Sequence, residues 1–116
     1  MSNLADLDFC YLSTTGRVTG RPHEIEIWFA LDGGTVYLLS GGGGRSDWIR
    51  NIVASSTVTL RIGDVERWTR ARVVEPGTDE DATARRLLVE KYGPRDGSDL
   101  SEWGRTALPV AIDWPE

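Results

Sequence analysis

Alternating strand patterns joined by short glycine turns predict a mainly β protein, a small antiparallel barrel with two peripheral helices. Three features point there. His23, Ile25 and Ile27 interleave with Glu24, Glu26 and Trp28, the period of a half-buried strand. The strand candidates follow one another through hairpin turns instead of crossover helices, which argues antiparallel pairing. Only two segments carry helical start signals. A chain of 116 residues is the size of one domain, so residues 1–116 are expected to form a single unit.

In chain order, Phe9 to Leu12 reads as a first strand, ending in Ser13-Thr14-Thr15-Gly16. Arg17 to Pro22 is bracketed by glycines and holds a proline, which makes it a turn. The alternating strand from His23 follows, then an Asp32-Gly33-Gly34 hairpin and a returning strand from Val36 to Ser40. Four glycines, Gly41 to Gly44, lead into Arg45-Ser46-Asp47, and Ser46 or Asp47 would cap a helix from Trp48 to Ala54. On that helix Trp48, Ile49, Ile52 and Val53 share one face. Thr57 to Ile62 and Val65 to Val74 form the next hairpin around Gly63-Asp64. A second helix starts at Thr78, with Asp79, Glu80 and Asp81 in its first turn, and is expected to stop at Gly93-Pro94. Arg95 to Gly104 reads as a polar loop, and Leu108 to Ile112 as the last strand.

Composition removes several function classes. A hydrophobic fraction of 40% and a charged fraction of 27% exclude disorder and fibrous repeats. The net charge of −5 argues against nucleic acid, which needs a concentrated positive face. Cys10 is the only cysteine and His23 the only histidine, so a Cys- or His-rich metal site is not expected. Met1 to Asp8 lacks the basic and apolar regions of a signal peptide, and no apolar run reaches membrane length, so a cytoplasmic, soluble protein is expected. Among the basic residues all but Lys91 are Arg, whose planar fork suits carboxylates and phosphates.

Two loops could hold an anion. In the first, a strand ends in glycines at Ser40-Gly41-Gly42-Gly43 and a helix begins just after Arg45; backbone N–H groups and the guanidinium would attract a phosphate. It is neither a Walker loop nor a Rossmann fingerprint, and a plain flexible connection is the alternative. The second runs from Thr14 to His23 and offers Arg17, Thr19, Arg21 and an imidazole, with a solvated hairpin tip as the alternative. Both loops are expected beside neighbouring strands, so one anionic ligand could touch both. Glu24 and Glu26 resemble a carboxylate pair but fit the solvent half of an alternating strand. Cys10 is expected to be buried and inert, and one or two of the five Trp could line a flat ligand. Few side-chain catalysts beside two anion loops suggest that a cofactor carries the chemistry.

Thr14-Thr15-Gly16-Arg17-Val18-Thr19-Gly20-Arg21-Pro22-His23, Ser40-Gly41-Gly42-Gly43 and Trp48-Ile49-Arg50-Asn51 resemble the deazaflavin (F420)-dependent nitroreductase family. The resemblance runs from about Tyr11 to Ile112. It implies an FMN-binding split-barrel-like fold and hydride transfer from F420 to a small conjugated, quinone-like or nitro acceptor, within a homodimer. FMN on the same barrel, or a module that binds a cofactor or lipid without turnover, are the alternatives. Residue by residue, it implies Arg17, Thr19, Gly20 and His23 near the cofactor's phosphate and tail, and backbone contacts from Ser40, Gly41, Gly42 and Gly43. Trp48 and Asn51 would lie beside the cofactor, with Arg45 supplying charge. Tyr92 matches a substrate-facing tyrosine and is expected to donate a hydrogen bond or proton; Trp103 and Arg105 match a further shared pattern. The chain departs from the family at Gly41, where a lysine is common, and at Arg95 and Asp96, where further tyrosines stand.

Overall fold

The computed structural model describes residues 3–115; Met1, Ser2 and Glu116, and with them the start of the stretch read for a signal peptide, lie outside the described residues. Seven strands form one curled antiparallel sheet: β1 (Cys10–Thr15), β2 (Pro22–Ile27), β3 (Ala30–Asp32), β4 (Thr35–Ser40), β5 (Thr57–Ile62), β6 (Val65–Val73) and β7 (Leu108–Asp113). Their spatial order is β2-β1-β5-β6-β7-β4-β3. Three helices complete the fold: α1 (Asp47–Ala54), α2 (Asp79–Asp96) and α3 (Ser101–Thr106). The expected antiparallel, half-barrel architecture is what the chain adopts.

Strand alternation sorts the side chains into two cores. Cys10 and Leu12 of β1, Val36 and Leu38 of β4, and Val58, Leu60 and Ile62 of β5 point into the curl of the sheet. Tyr37 and Leu39 of β4 point the other way and meet Ala84, Leu88 and Tyr92 of α2. β4 is therefore buried on both faces, which explains why its sequence is a continuous apolar run without alternation. At the β3–β4 hairpin Gly33 takes φ 59°, a left-handed conformation that glycine adopts without a Cβ clash.

Four boundaries differ from the sequence reading. The alternating strand stops at Ile27, and β3 restarts at Ala30; Trp28 and Phe29 between them turn inward, Phe29 becoming fully buried. Four strands thus precede α1, where three were expected. The first strand runs on through Thr15, because Ser13, Thr14 and Thr15 pair with Glu24, His23 and Pro22. α2 starts as expected, with Thr78 Oγ1 accepting the Asp81 N–H at 3.1 Å, but runs through Gly93-Pro94 to Asp96. Pro94 sits in the last turn, where a missing N–H removes one helical bond, and Gly97 at φ 77° then closes the helix. Residues 101–106, expected as loop, form α3; Gly104 packs against Val89 where a side chain would not fit, and Arg85 Nη1 donates to the Gly104 and Arg105 carbonyls.

Candidate active site

The β1–β2 turn is closed by its own backbone. Gly16 N–H donates to Arg21 O and Gly20 N–H to Gly16 O, each at 2.8 Å, with Gly20 at φ 74°. This turn docks on the first half of α1. Asn51 Oδ1 accepts both the Arg17 N–H at 3.1 Å and Arg17 Nη1 at 3.0 Å, and Arg17 Nη2 reaches Asp47 Oδ1 at 3.2 Å. Between turn, β2 and α1 opens a cleft of about 460 Å³ whose lining includes Arg17, Thr19, His23, Asp47, Trp48 and Asn51. Two segments 34 residues apart in sequence thus meet in one site. Gly16 lets the cleft form: a Cβ there would lie 2.7 Å from His23 Nε2 and 2.9 Å from Thr19 Oγ1.

The glycine tract is placed differently from expectation. β4 pairs with β3 and β7, not with β1 or β2, so the two anion loops are not on neighbouring strands. Ser40 Oγ donates to Gly43 O at 3.0 Å and lies 2.8 Å from Ser46 Oγ, which folds the tract into a single 3₁₀ turn, Gly43–Arg45. Ser46 is the N-cap residue of α1, as expected, but its hydroxyl serves this turn and caps nothing. Ser40, Gly41, Gly42, Gly43 and exposed Arg45 do not line the 460 Å³ cleft. Gly41 instead borders Trp103: a Cβ at that glycine would sit 3.7 Å from the indole.

Trp103 belongs to a second pocket, of about 470 Å³, walled by Phe9, Ile27, Trp28, Leu39, Leu100 and Trp103, with Glu26 its one ionisable residue. Trp28 stacks on Tyr92 with centroids 4.3 Å apart and planes 4° from parallel, and meets Trp103 edge-on at 5.5 Å. Phe9 and Leu100 were not singled out by sequence reasoning, and Trp28 only as one of five Trp of which one or two could line a flat ligand. The aromatic character of Trp28-Phe29 at the break in the strand was the available signal. Arg105 is exposed beside this wall and gives its carbonyl to Arg85.

Tyr92 corrects a sequence expectation. It is 1% exposed, and its hydroxyl accepts the Phe29 N–H at 2.9 Å while lying 2.8 Å from Asp8 O and 3.0 Å from Phe29 O. Burial pushes its pKa up to about 12. A hydroxyl so occupied ties backbone segments together and is not poised to pass a proton to a substrate. Beside it Lys91 Nζ donates to Phe29 O at 2.9 Å, and burial lowers its pKa to about 8. The Cys10 thiol, sealed in the core, is pushed up to about 12 by desolvation and has no nucleophilic thiolate near neutrality.

β2 lines both pockets: His23, Glu24 and Ile25 face the polar cleft, where Arg17 stands with the carboxylates of Glu24 and Asp47, and Glu26 and Ile27 face the aromatic one. A curled antiparallel sheet of this strand order, flanked by helices, is a split-barrel-like fold. A family model described as F420H(2)-dependent quinone reductase matches residues 2–115, and the chain belongs to that family of F420-dependent reductases. Among solved structures, an F420-H2 dependent reductase (FDR-A) is 23% identical, with 97% of this chain and 99% of that one covered and a TM-score of 0.73. A domain-swapped dimer is 24% identical over 91% of this chain and 79% of its own, with a TM-score of 0.72. A FAD-binding protein from Mesorhizobium loti is 13% identical over 97% and 83%, with a TM-score of 0.71. At these identities the likeness is one of fold. Among the described residues no helix is long and apolar enough to cross a membrane.

Proposed function

We propose that the protein binds coenzyme F420 along β2 and reduces a small conjugated, quinone-like acceptor in the aromatic pocket. The observation that carries this reading is the polarity of the β2 site, charged and hydroxyl-rich at one end and aromatic at the other. The bound, reduced deazaflavin supplies the hydride.

The residues present fit such a group. Arg17, Thr19 and His23 offer a guanidinium, a hydroxyl and an imidazole to a phosphate, and Gly20 shapes the turn that presents them. Arg17 is now paired with Asp47, whose side chain is 86% exposed. Such an open pair is worth at most about 1 kcal/mol, so an incoming phosphate can take over the guanidinium. Trp48 and Asn51 flank the same cleft, Asn51 holding Arg17 in place. Ser40, Gly42, Gly43 and Arg45 stay outside both pockets, and of the glycine tract Gly41 alone comes beside Trp103, where its backbone could meet the ligand.

The aromatic walls orient a planar acceptor and keep water away from it. Their lining is apolar save for the Glu26 carboxylate, a surface that suits the flat, neutral face of a quinone or conjugated carbonyl. The same reading takes the protein as a cytoplasmic homodimer, supported by the similar structure that is a domain-swapped dimer. Titration with F420 and, separately, with FMN, followed by fluorescence, tests it. Saturable F420 binding at low micromolar concentration is expected; binding of neither cofactor overturns the reading, and FMN alone would reassign it.

A further inference from the structure

Two cavities share a wall at Phe9. Phe9 and Trp28 line the 470 Å³ aromatic pocket, and both also line a smaller cavity of about 170 Å³ whose other walls are Asp8, Tyr92, Arg95 and Asp96. Phe9 is 42% exposed, so burial alone does not hold its ring there. The preceding backbone does. Asp8 O lies 2.8 Å from Tyr92 Oη, and Arg95 Nη1 donates to Asp6 O at 2.9 Å and to Asp8 Oδ1 at 2.6 Å. Tyr92 also stacks on Trp28. The last turns of α2 therefore position both side chains of the shared wall, Phe9 through Asp8 and Trp28 through the stack.

We propose that Phe9 is a specificity-determining residue for the acceptor, held as a partition between the two cavities by Tyr92 and Arg95 acting as positioning residues. The proposal rests on the aromatic pocket being the acceptor site. With the partition in place, a compact two-ring quinone fits the larger pocket. A fused-ring quinone whose long axis points toward the last turns of α2 meets the Phe9 ring and can enter the smaller cavity only when that ring is absent. Removing that ring joins the cavities into one slot reaching Arg95 and Asp96.

The test uses the whole chain without cofactor and reads quenching of tryptophan fluorescence by menadione, a two-ring quinone, and by phenanthrenequinone, a three-ring one. The native protein is expected to prefer menadione about tenfold, a difference of about 1.4 kcal/mol. Phe9→Ala should abolish that preference by tightening phenanthrenequinone binding, while Phe9→Tyr retains it. Arg95→Ala, at a side chain 38% exposed, should shift the ratio in the same direction, as should Tyr92→Phe, which keeps the stack and loses the hydroxyl. Arg95→Ala keeps the positioning claim testable should Tyr92→Phe not fold. An unchanged ratio in Phe9→Ala, or no quenching by either quinone, overturns the proposal. A ratio unchanged in Arg95→Ala overturns the positioning role. Failure of the same native sample to reduce menadione with reduced F420 would overturn the activity reading instead, since the quenching ratio needs no cofactor.

Discussion

Asn51 and Arg17 are locked together by a single side-chain oxygen. Asn51 Oδ1 accepts from both the Arg17 backbone N–H and its guanidinium, and Asn51 Nδ2 donates to the buried Thr14 hydroxyl at 3.1 Å. With Asn51 itself only 3% exposed, one amide ties α1 to β1 and to the turn that follows it. The amide supplies both a donor and an acceptor, which neither a carboxylate nor an aliphatic side chain of that size can do.

Asn51→Ala is therefore expected to cost about 1–3 kcal/mol of stability, because buried Thr14 and the Arg17 N–H lose their partner together. The urea midpoint measures it. The same variant should weaken F420 binding through the freed Arg17. A midpoint equal to that of the native chain would show that the bridge carries no stability.

Arg17→Ala should reduce F420 affinity by about tenfold or more, the scale of one charge-assisted contact to a phosphate. Arg85 would be a poor control, because its side chain bonds Asp81 and two backbone carbonyls. Arg86, exposed and paired only with Glu90, is the proper comparison. Equal affinities in Arg17→Ala and Arg86→Ala remove Arg17 from the site.

Gly16→Ala is a test of shape. The new methyl group would press on His23 Nε2 and Thr19 Oγ1, both ends of movable side chains on the cleft wall. Thermal stability should therefore change by less than about 1 kcal/mol. F420 binding should weaken several-fold, and unchanged binding would show that His23 and Thr19 do not hold the ligand.

Alkaline pH should expose the buried thiol. Cys10 keeps its proton in the folded chain up to about pH 12, while the unfolded chain loses it above pH 9.0. The unfolded state then binds fewer protons, so this contribution to stability is whole below pH 9.0 and falls as pH rises toward 12. Its limiting slope is about 1.4 kcal/mol per pH unit. Lys91, lowered to about 8, acts in the opposite sense because the unfolded chain holds that proton longer. Urea midpoints for the native chain and Cys10→Ala should thus diverge in slope above pH 9.0, the native chain falling faster. Parallel slopes would show that the thiol titrates alike in both states.

Much of this architecture is legible from neighbours along the chain. The alternation of His23 to Ile27, the glycine at φ 59° in the β3–β4 hairpin and the Thr78 cap of α2 each need only local contacts. Arg17, Thr19, His23, Trp48 and Asn51 were recognised as site candidates, and the structure gathers all five in one cleft. The glycine tract looked equally suited to that cleft, yet it does not line it: Gly41 borders Trp103, and Gly44 meets Arg17 only across a separate cavity. α3 escaped notice because its six residues show no apolar period; what holds it is Gly104 against Val89 and two carbonyls satisfied by Arg85.

The sequence alone determined the antiparallel β class, the presence of α1 and α2, the inert thiol and the cationic turn, since periodicity, caps and turn chemistry act within a few residues. The tertiary structure decided the role of Tyr92. Its hydroxyl finds partners 63 and 84 residues away, and those contacts make a would-be proton donor into the pin between Asp8 and Phe29. Contacts that distant depend on how the sheet curls and where α2 lands, and no local pattern encodes them.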